Sequence, residues 1–267
     1  MKKLLCLFLC LLLLTGGAST PSYRHDDELR CPSITLPIET EAVTQPEPTT
    51  VPEPTDPPAP EHSPLYIPDL SVEDVILYFN EVCLDAEFSD SGNATLVQKW
   101  DIPIYYTIHG DATDEDLATL ENFAAWLNTI EGFPGISEAD DPVHANLTIH
   151  FCTEDELIDI LGDNFYGTDA GVTFWYEDNA IYDATICYRT DLDQYLRNSV
   201  ILEEIYNGLG PVQDTDLRPD SIIYSAFSEP QSLTEIDELI LKLLYHPDIL
   251  CGMNAEECEA IIRELYY

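Results

Sequence analysis

Basic residues are the scarcest feature of this chain: ten lysines and arginines stand against fifty-one aspartates and glutamates in 267 residues, a formal net charge of -41. A field of that sign repels phosphate, which argues against nucleic acid and anionic membrane surfaces as partners. Histidine is sparse as well, with six in all. His25 and His62 fall in a spacer, His109 ends a strand, His144 precedes another and His150 lies within it, and His246 stands before Pro247; each reads as a surface or edge residue and not as a ligand. No Cys-x-x-Cys spacing occurs, which argues against a zinc ribbon. No apolar run is long enough to span a bilayer. Serine, cysteine and histidine never gather into a nucleophile set, so a serine or cysteine hydrolase is not read here. There is no internal repeat.

What is present begins with a leader. Met1-Lys2-Lys3, the apolar run Leu4 to Leu14 and the small residues up to Ala18 predict a signal peptide over 1–18, with lipid attachment at Cys10 as the alternative. Residues 19–63 are rich in Pro, Thr and Glu and carry no periodicity; they cannot bury apolar surface and predict a disordered spacer. The folded domain is expected over 64–267, and the mature protein is expected to be secreted or held at the cell surface. Export permits disulfides among Cys31, Cys83, Cys152, Cys187, Cys251 and Cys258. Cys251 with Cys258 is the best local pair, while Cys152 and Cys187 fall in predicted strands and read equally as buried thiols.

Periodicity then orders the domain. Ser71 caps a helix with an apolar stripe from Val72 to Cys83, Ile102 to Ile108 is a strand, and Thr113 caps a helix reaching Ile130. Gly132 to Pro142 reads as a loop, Ala145 to Cys152 as a strand, and Thr153 to Glu156 as a capping box opening a helix to Leu161. Gly171–Glu177 and Ala180–Arg189 form a hairpin across Asp178-Asn179. A helix over Asp191–Leu209 and two more, about Thr234–Tyr245 and Ala255–Leu265, complete an α+β fold: a mixed sheet of about four strands with helices packed on it.

The chemistry concentrates in Ile201 to Tyr224. Two metal ligands on a helix need spacing i, i+4 to leave one face, with a Glu beside the first as base. In the register set by Leu209-Gly210 those three places hold Glu203, Glu204 and Asn207. Glu-Glu-x-x-Asn-x-Leu-Gly resembles the HExxHxLG helix of the metzincin metallopeptidases with both histidines replaced. Ser221-Ile222-Ile223-Tyr224 stands where that family has its Met-turn, and Ser232 to Tyr245 resembles its closing helix. By the same residues, EEIYNGLG plus DSIIY, the stretch from Trp100 to Met253 resembles the bacterial DUF2927 family, a domain of unknown function. The resemblance implies a zincin-like fold that has lost its nitrogen ligands.

Asn207 is a poor zinc ligand, and the third position falls near Gln213 or Asp214. Only Glu203 and Asp214 then offer charged oxygens to a metal, a set that suits a divalent cation of the calcium or magnesium kind. The plain reading of Glu203-Glu204 is a solvated helix face. The expectation is therefore a non-catalytic binding protein of the cell envelope, without cofactor, whose groove holds Asn207, Tyr224 and Trp175 and takes a peptide, protein or glycan. The alternative is a peptidase-like hydrolase with Glu204 as general base and an atypical divalent cation on Glu203 and Asp214.

Overall fold

Local chemistry starts most of the helices. The computed structural model describes residues 63–84, 96–226 and 228–267; the predicted leader with Cys10, the predicted spacer up to residue 62 and Cys31 lie outside the described residues. Helix α1 (Val72–Leu84) opens where Ser71 Oγ accepts from Asp74 N at 3.1 Å, and it buries the expected stripe of Val72, Val75, Ile76, Phe79, Val82 and Cys83. Thr113 with Asp116 opens α2 (Asp114–Leu127), and Thr153 with Glu156 opens α3 (Glu154–Leu161), each by the reciprocal capping box. Asp193 caps α4 (Gln194–Gly208), Thr234 with Asp237 opens α5 (Glu235–Leu244), and Asn254 with Glu257 opens α6 (Ala255–Tyr266). Among the described residues no helix is long and apolar enough to cross a membrane.

The sheet has six strands, where the sequence predicts about four: β1 (Lys99–Trp100), β2 (Ile104–Gly110), β3 (Ile136–Glu138), β4 (Leu147–Cys152), β5 (Ala170–Glu177) and β6 (Ala180–Arg189). The additions are β1 and β3, two and three residues long, too short for alternation to mark them. Strand β3 lies inside the predicted loop because Asn128 acts as a piece of backbone, its amide donating to Ile136 O and accepting from Ile136 N, both at 2.9 Å. The order is β3-β2-β4-β6, all parallel. Strand β5 lies antiparallel along the other edge of β6, and β1 pairs with Ala180 and Ile181 at its start. The mixed α/β layout is thus mostly parallel with one antiparallel edge. The β5–β6 hairpin turns at Asp178 and Asn179 as predicted, both at positive φ (50° and 66°).

One face of the sheet carries Leu147, Ile149, Phe151, Val172, Phe174, Ala184, Ile186 and Tyr188 into the main core. Helix α4 packs there and is tied to α2 by an ion pair between Arg197 Nε and Asp116 Oδ1 at 2.8 Å, with both side chains buried. Burial alone would raise the Asp116 carboxyl, but Arg197, Thr113 and Gln194 all donate to it and hold it below the usual carboxylate range. On the other face, α3 covers a smaller cluster of Cys152, Leu157, Leu161, Phe165 and Cys187.

The five described cysteines are free thiols, against the expected disulfides. Cys251 stands half-exposed with its Sγ donating to Lys99 O at 3.6 Å, whereas Cys258 is buried in the core, its thiol pushed up to about 11 chiefly by burial. Cys152 and Cys187 are hydrogen-bonded to each other, which holds the Cys152 thiol below its ordinary range and pushes Cys187 up.

Candidate functional site

Helix α4 is buried over most of its length, and its last turn is fixed from three sides. Its C-terminal carbonyls lack partners within the helix, so outside donors must serve them. Trp100 Nε1 donates to Gly208 O at 2.9 Å, and Tyr245 Oη donates to Leu209 O at 2.8 Å. Gly210 then leaves the helix at φ 127°, where an added Cβ would stand 2.4 Å from Gln98 O; only glycine fits. The Leu-Gly register that places Glu203, Glu204 and Asn207 is therefore enforced by packing.

Beyond Pro211 the chain crosses α1, with Val212 N donating to Val82 O at 2.8 Å. It returns through the turn at Ser221–Tyr224, where Thr215 N donates to Ile223 O at 2.9 Å. Ser221 is the hub of this turn. Its Oγ accepts from Tyr78 Oη at 2.7 Å and from Ile223 N at 3.2 Å, and donates to Asp237 Oδ1 at 2.6 Å. Asp237 also accepts from Ile222 N at 3.2 Å, from Thr234 N at 2.9 Å and from Thr234 Oγ1 at 2.8 Å. The carboxylate that caps α5 thereby bolts the turn to that helix. Ile223 is fully buried. Sequence reasoning passes over Asp237, although Thr234-x-x-Asp237 has the spacing of a capping box.

The adjacent acids differ sharply. Glu203 is half-buried, while Glu204 is 3% exposed, so the plain reading of a solvated face fails for Glu204. Residues one apart on a helix point about 100° apart, and packing decides which one turns inward. Glu204 Oε2 has no hydrogen-bond partner among the described residues. Burial first, then the charges of Glu203 and Asp214, push its carboxyl well above the usual range. Asn207, one turn on, is 1% exposed, and neither Nδ2 nor Oδ1 has a partner among the described residues. Buried polar atoms are seldom left unpaired, and α4 carries three side chains with such atoms, Ser199, Glu204 and Asn207.

The structure brings Glu203 and Asp214 near enough to Glu204 for their charges to act on it. Among the described residues, however, no three His, Cys, Asp or Glu side chains are arranged to hold a metal ion. Tyr224 is half-buried and bridges to Thr215 beside this cluster. Trp175 is not part of it. It pairs with Asp183 and alternates with Phe174, which is fully buried in the main core, so Trp175 lies on the opposite face of the sheet from α4.

A family model described as Protein of unknown function (DUF2927) matches residues 73–264, from the first turn of α1 almost to the end of α6. No curated protein matches the chain.

Proposed function

The chain belongs to the DUF2927 family, and from that premise we propose that it is an exported, non-catalytic binding protein of the cell envelope. Its domain on this reading is a zincin-like scaffold without the histidine zinc ligands, and its partner is a peptide, protein or glycan. One observation carries the reading: the residue in the place of the general base, Glu204, is 3% exposed and is held toward its protonated form by burial. A general base needs a carboxylate within reach of the water it activates. The neighbouring ligand places, Glu203 and Asn207, supply no imidazole. The helix and turn nevertheless keep their geometry through Gly210, Trp100, Tyr245 and the Ser221–Asp237 bolt, as a scaffold retained for binding would.

A second reading, a hydrolase using Glu204 with a divalent cation on Glu203 and Asp214, draws support from the influence of those two carboxyls on Glu204. A cation would reverse the effect of burial and ionise Glu204. The two readings part on one comparison. The purified full chain is offered unstructured peptides with and without added zinc, calcium or magnesium, alongside Glu204→Gln, and metal content is measured on both. The binding reading expects no hydrolysis that depends on Glu204. Turnover lost in Glu204→Gln, together with a stoichiometric metal lost in Glu203→Ala or Glu204→Ala, would establish the enzyme instead.

A further inference from the structure

The sheet face away from α4 holds two of the six histidines side by side. Strands β2 and β4 run parallel with His109 directly opposite His150, and the two rings lie 5.1 Å apart between centroids at an interplanar angle of 22°. Ile149 and Phe151 flank His150 in sequence and point into the main core, so both imidazoles stand on the other face. There His109 is exposed and His150 half-buried.

The pair cannot slide. It sits within a run of five registered partners from Tyr106↔Leu147 to Gly110↔Phe151. At the end of that run Gly110 approaches so closely that an added Cβ would meet Phe151 O at 1.9 Å. Neither strand carries a lysine or arginine to repel a cation, and the net charge of -41 draws cations toward the molecule. The rings stack nearly parallel, so an ion shared between them is reached by turning the exposed His109 ring about its Cβ–Cγ bond until one nitrogen of each ring points to the same place. The separation allows this, because two imidazoles on a tetrahedral ion set their ring centres about 5 Å apart.

We propose that His109 and His150 form a two-imidazole site for a divalent late transition metal of the nickel, copper and zinc series, the class that imidazole favours. Among the described residues no set of three His, Cys, Asp or Glu side chains surrounds an ion, so the remaining coordination positions belong to water or to a donor on a partner. The site lies across the sheet from Glu203 and Glu204 and does not depend on the reading of that helix.

The test is calorimetric titration of the full chain, stripped of metal by chelator, with nickel, copper(II) or zinc salts alone. One ion per chain is expected. His109→Ala and His150→Ala should each weaken binding by more than about tenfold, the loosening that even loss of an outer partner of a metal ligand brings. His144→Ala and Glu204→Gln should leave it unchanged. His109→Gln, at an exposed position, serves as a second variant should the half-buried His150 disturb folding, with circular dichroism as the control. Unaltered affinity in the His109→Ala/His150→Ala double variant, or loss of the ion in Glu204→Gln instead, would overturn the site.

Discussion

Two buried carboxyls, Asp237 beneath the Ser221–Tyr224 turn and Glu204 on α4, are treated in opposite ways. Asp237 is fully buried and receives four donors, from Ser221, Ile222 and both Thr234 groups. Glu204 is almost as deeply buried and its Oε2 receives none among the described residues. Burial pushes both carboxyls up, but at Asp237 the donors oppose it, while at Glu204 the charges of Glu203 and Asp214 add to it. A satisfied buried acid is a fastening; an unsatisfied one weakens the fold it sits in. The first therefore belongs to the scaffold, and the second is kept for another reason, which under the binding reading is the groove.

The largest effect should come from breaking the satisfied side. Asp237→Ala strands the hydroxyls of Ser221 and Thr234 and the amides of Ile222 and Thr234, and should cost about 3 kcal/mol or more of stability. A urea-unfolding midpoint within about 0.5 kcal/mol of the parent protein would mean the network does not hold the turn.

The unsatisfied side should answer to pH. A folded-state pKa raised above the unfolded value means the native chain holds a proton that the unfolded chain has released. The contribution of Glu204 to stability is therefore intact below the unfolded carboxyl range and is lost as pH rises through the folded value. Removing the titration with Glu204→Gln should stabilise the protein relative to the parent by up to about 1.4 kcal/mol for each pH unit climbed in that window. Melting curves of the two proteins collected from pH 4.5 to 8 would contradict this if they ran parallel. Asp116, lowered chiefly by Arg197 and its neighbours against its own burial, acts with the opposite sign, its contribution falling away in acid. The difference between variant and parent cancels that term.

On the satisfied side a smaller loss is expected for Ser221→Ala. It removes one hydroxyl but leaves Asp237 three of its donors, so about 1–2 kcal/mol should go, less than for Asp237→Ala. Equal losses in the two variants would place the fastening in the serine and not in the acid.

How much of this could be read beforehand follows the range of each interaction. The helix starts at Ser71, Thr113 and Thr153 are contacts three residues long, and the type of residue at those positions suffices to find them. The hairpin at Asp178-Asn179 is equally local. The site register was legible because Leu209-Gly210 ends the helix. The burial of Glu204, the placing of Trp175 behind the sheet and the His109–His150 pair were not. The first depends on which face of α4 packs inward; the other two depend on which strands are neighbours and in what register, where a one-residue slip turns every side chain to the other face. Strand β3 escaped for a related reason: it is three residues long, pairs with β2 and is tied at Ile136 by Asn128 from the end of α2, contacts that no local pattern marks.

The smallest effect separates retention by function from retention by structure. Asn207 is 1% exposed, its carboxamide has no partner among the described residues, and Gly208 beside it packs within 3.4 Å of Val172 for any added Cβ, so the helix has little freedom to turn the amide outward. An apolar side chain of similar shape removes the desolvation cost without breaking a bond. Asn207→Leu should accordingly leave stability unchanged or raise it by up to about 1 kcal/mol, read as the urea midpoint at constant slope. On the binding reading, a buried amide that can be replaced at no cost in stability is kept for contacts with a partner, the trade of stability for function expected at a working site. A loss of more than about 2 kcal/mol would instead make Asn207 a structural group like Asp237, and the contrast between α4 and the turn would close.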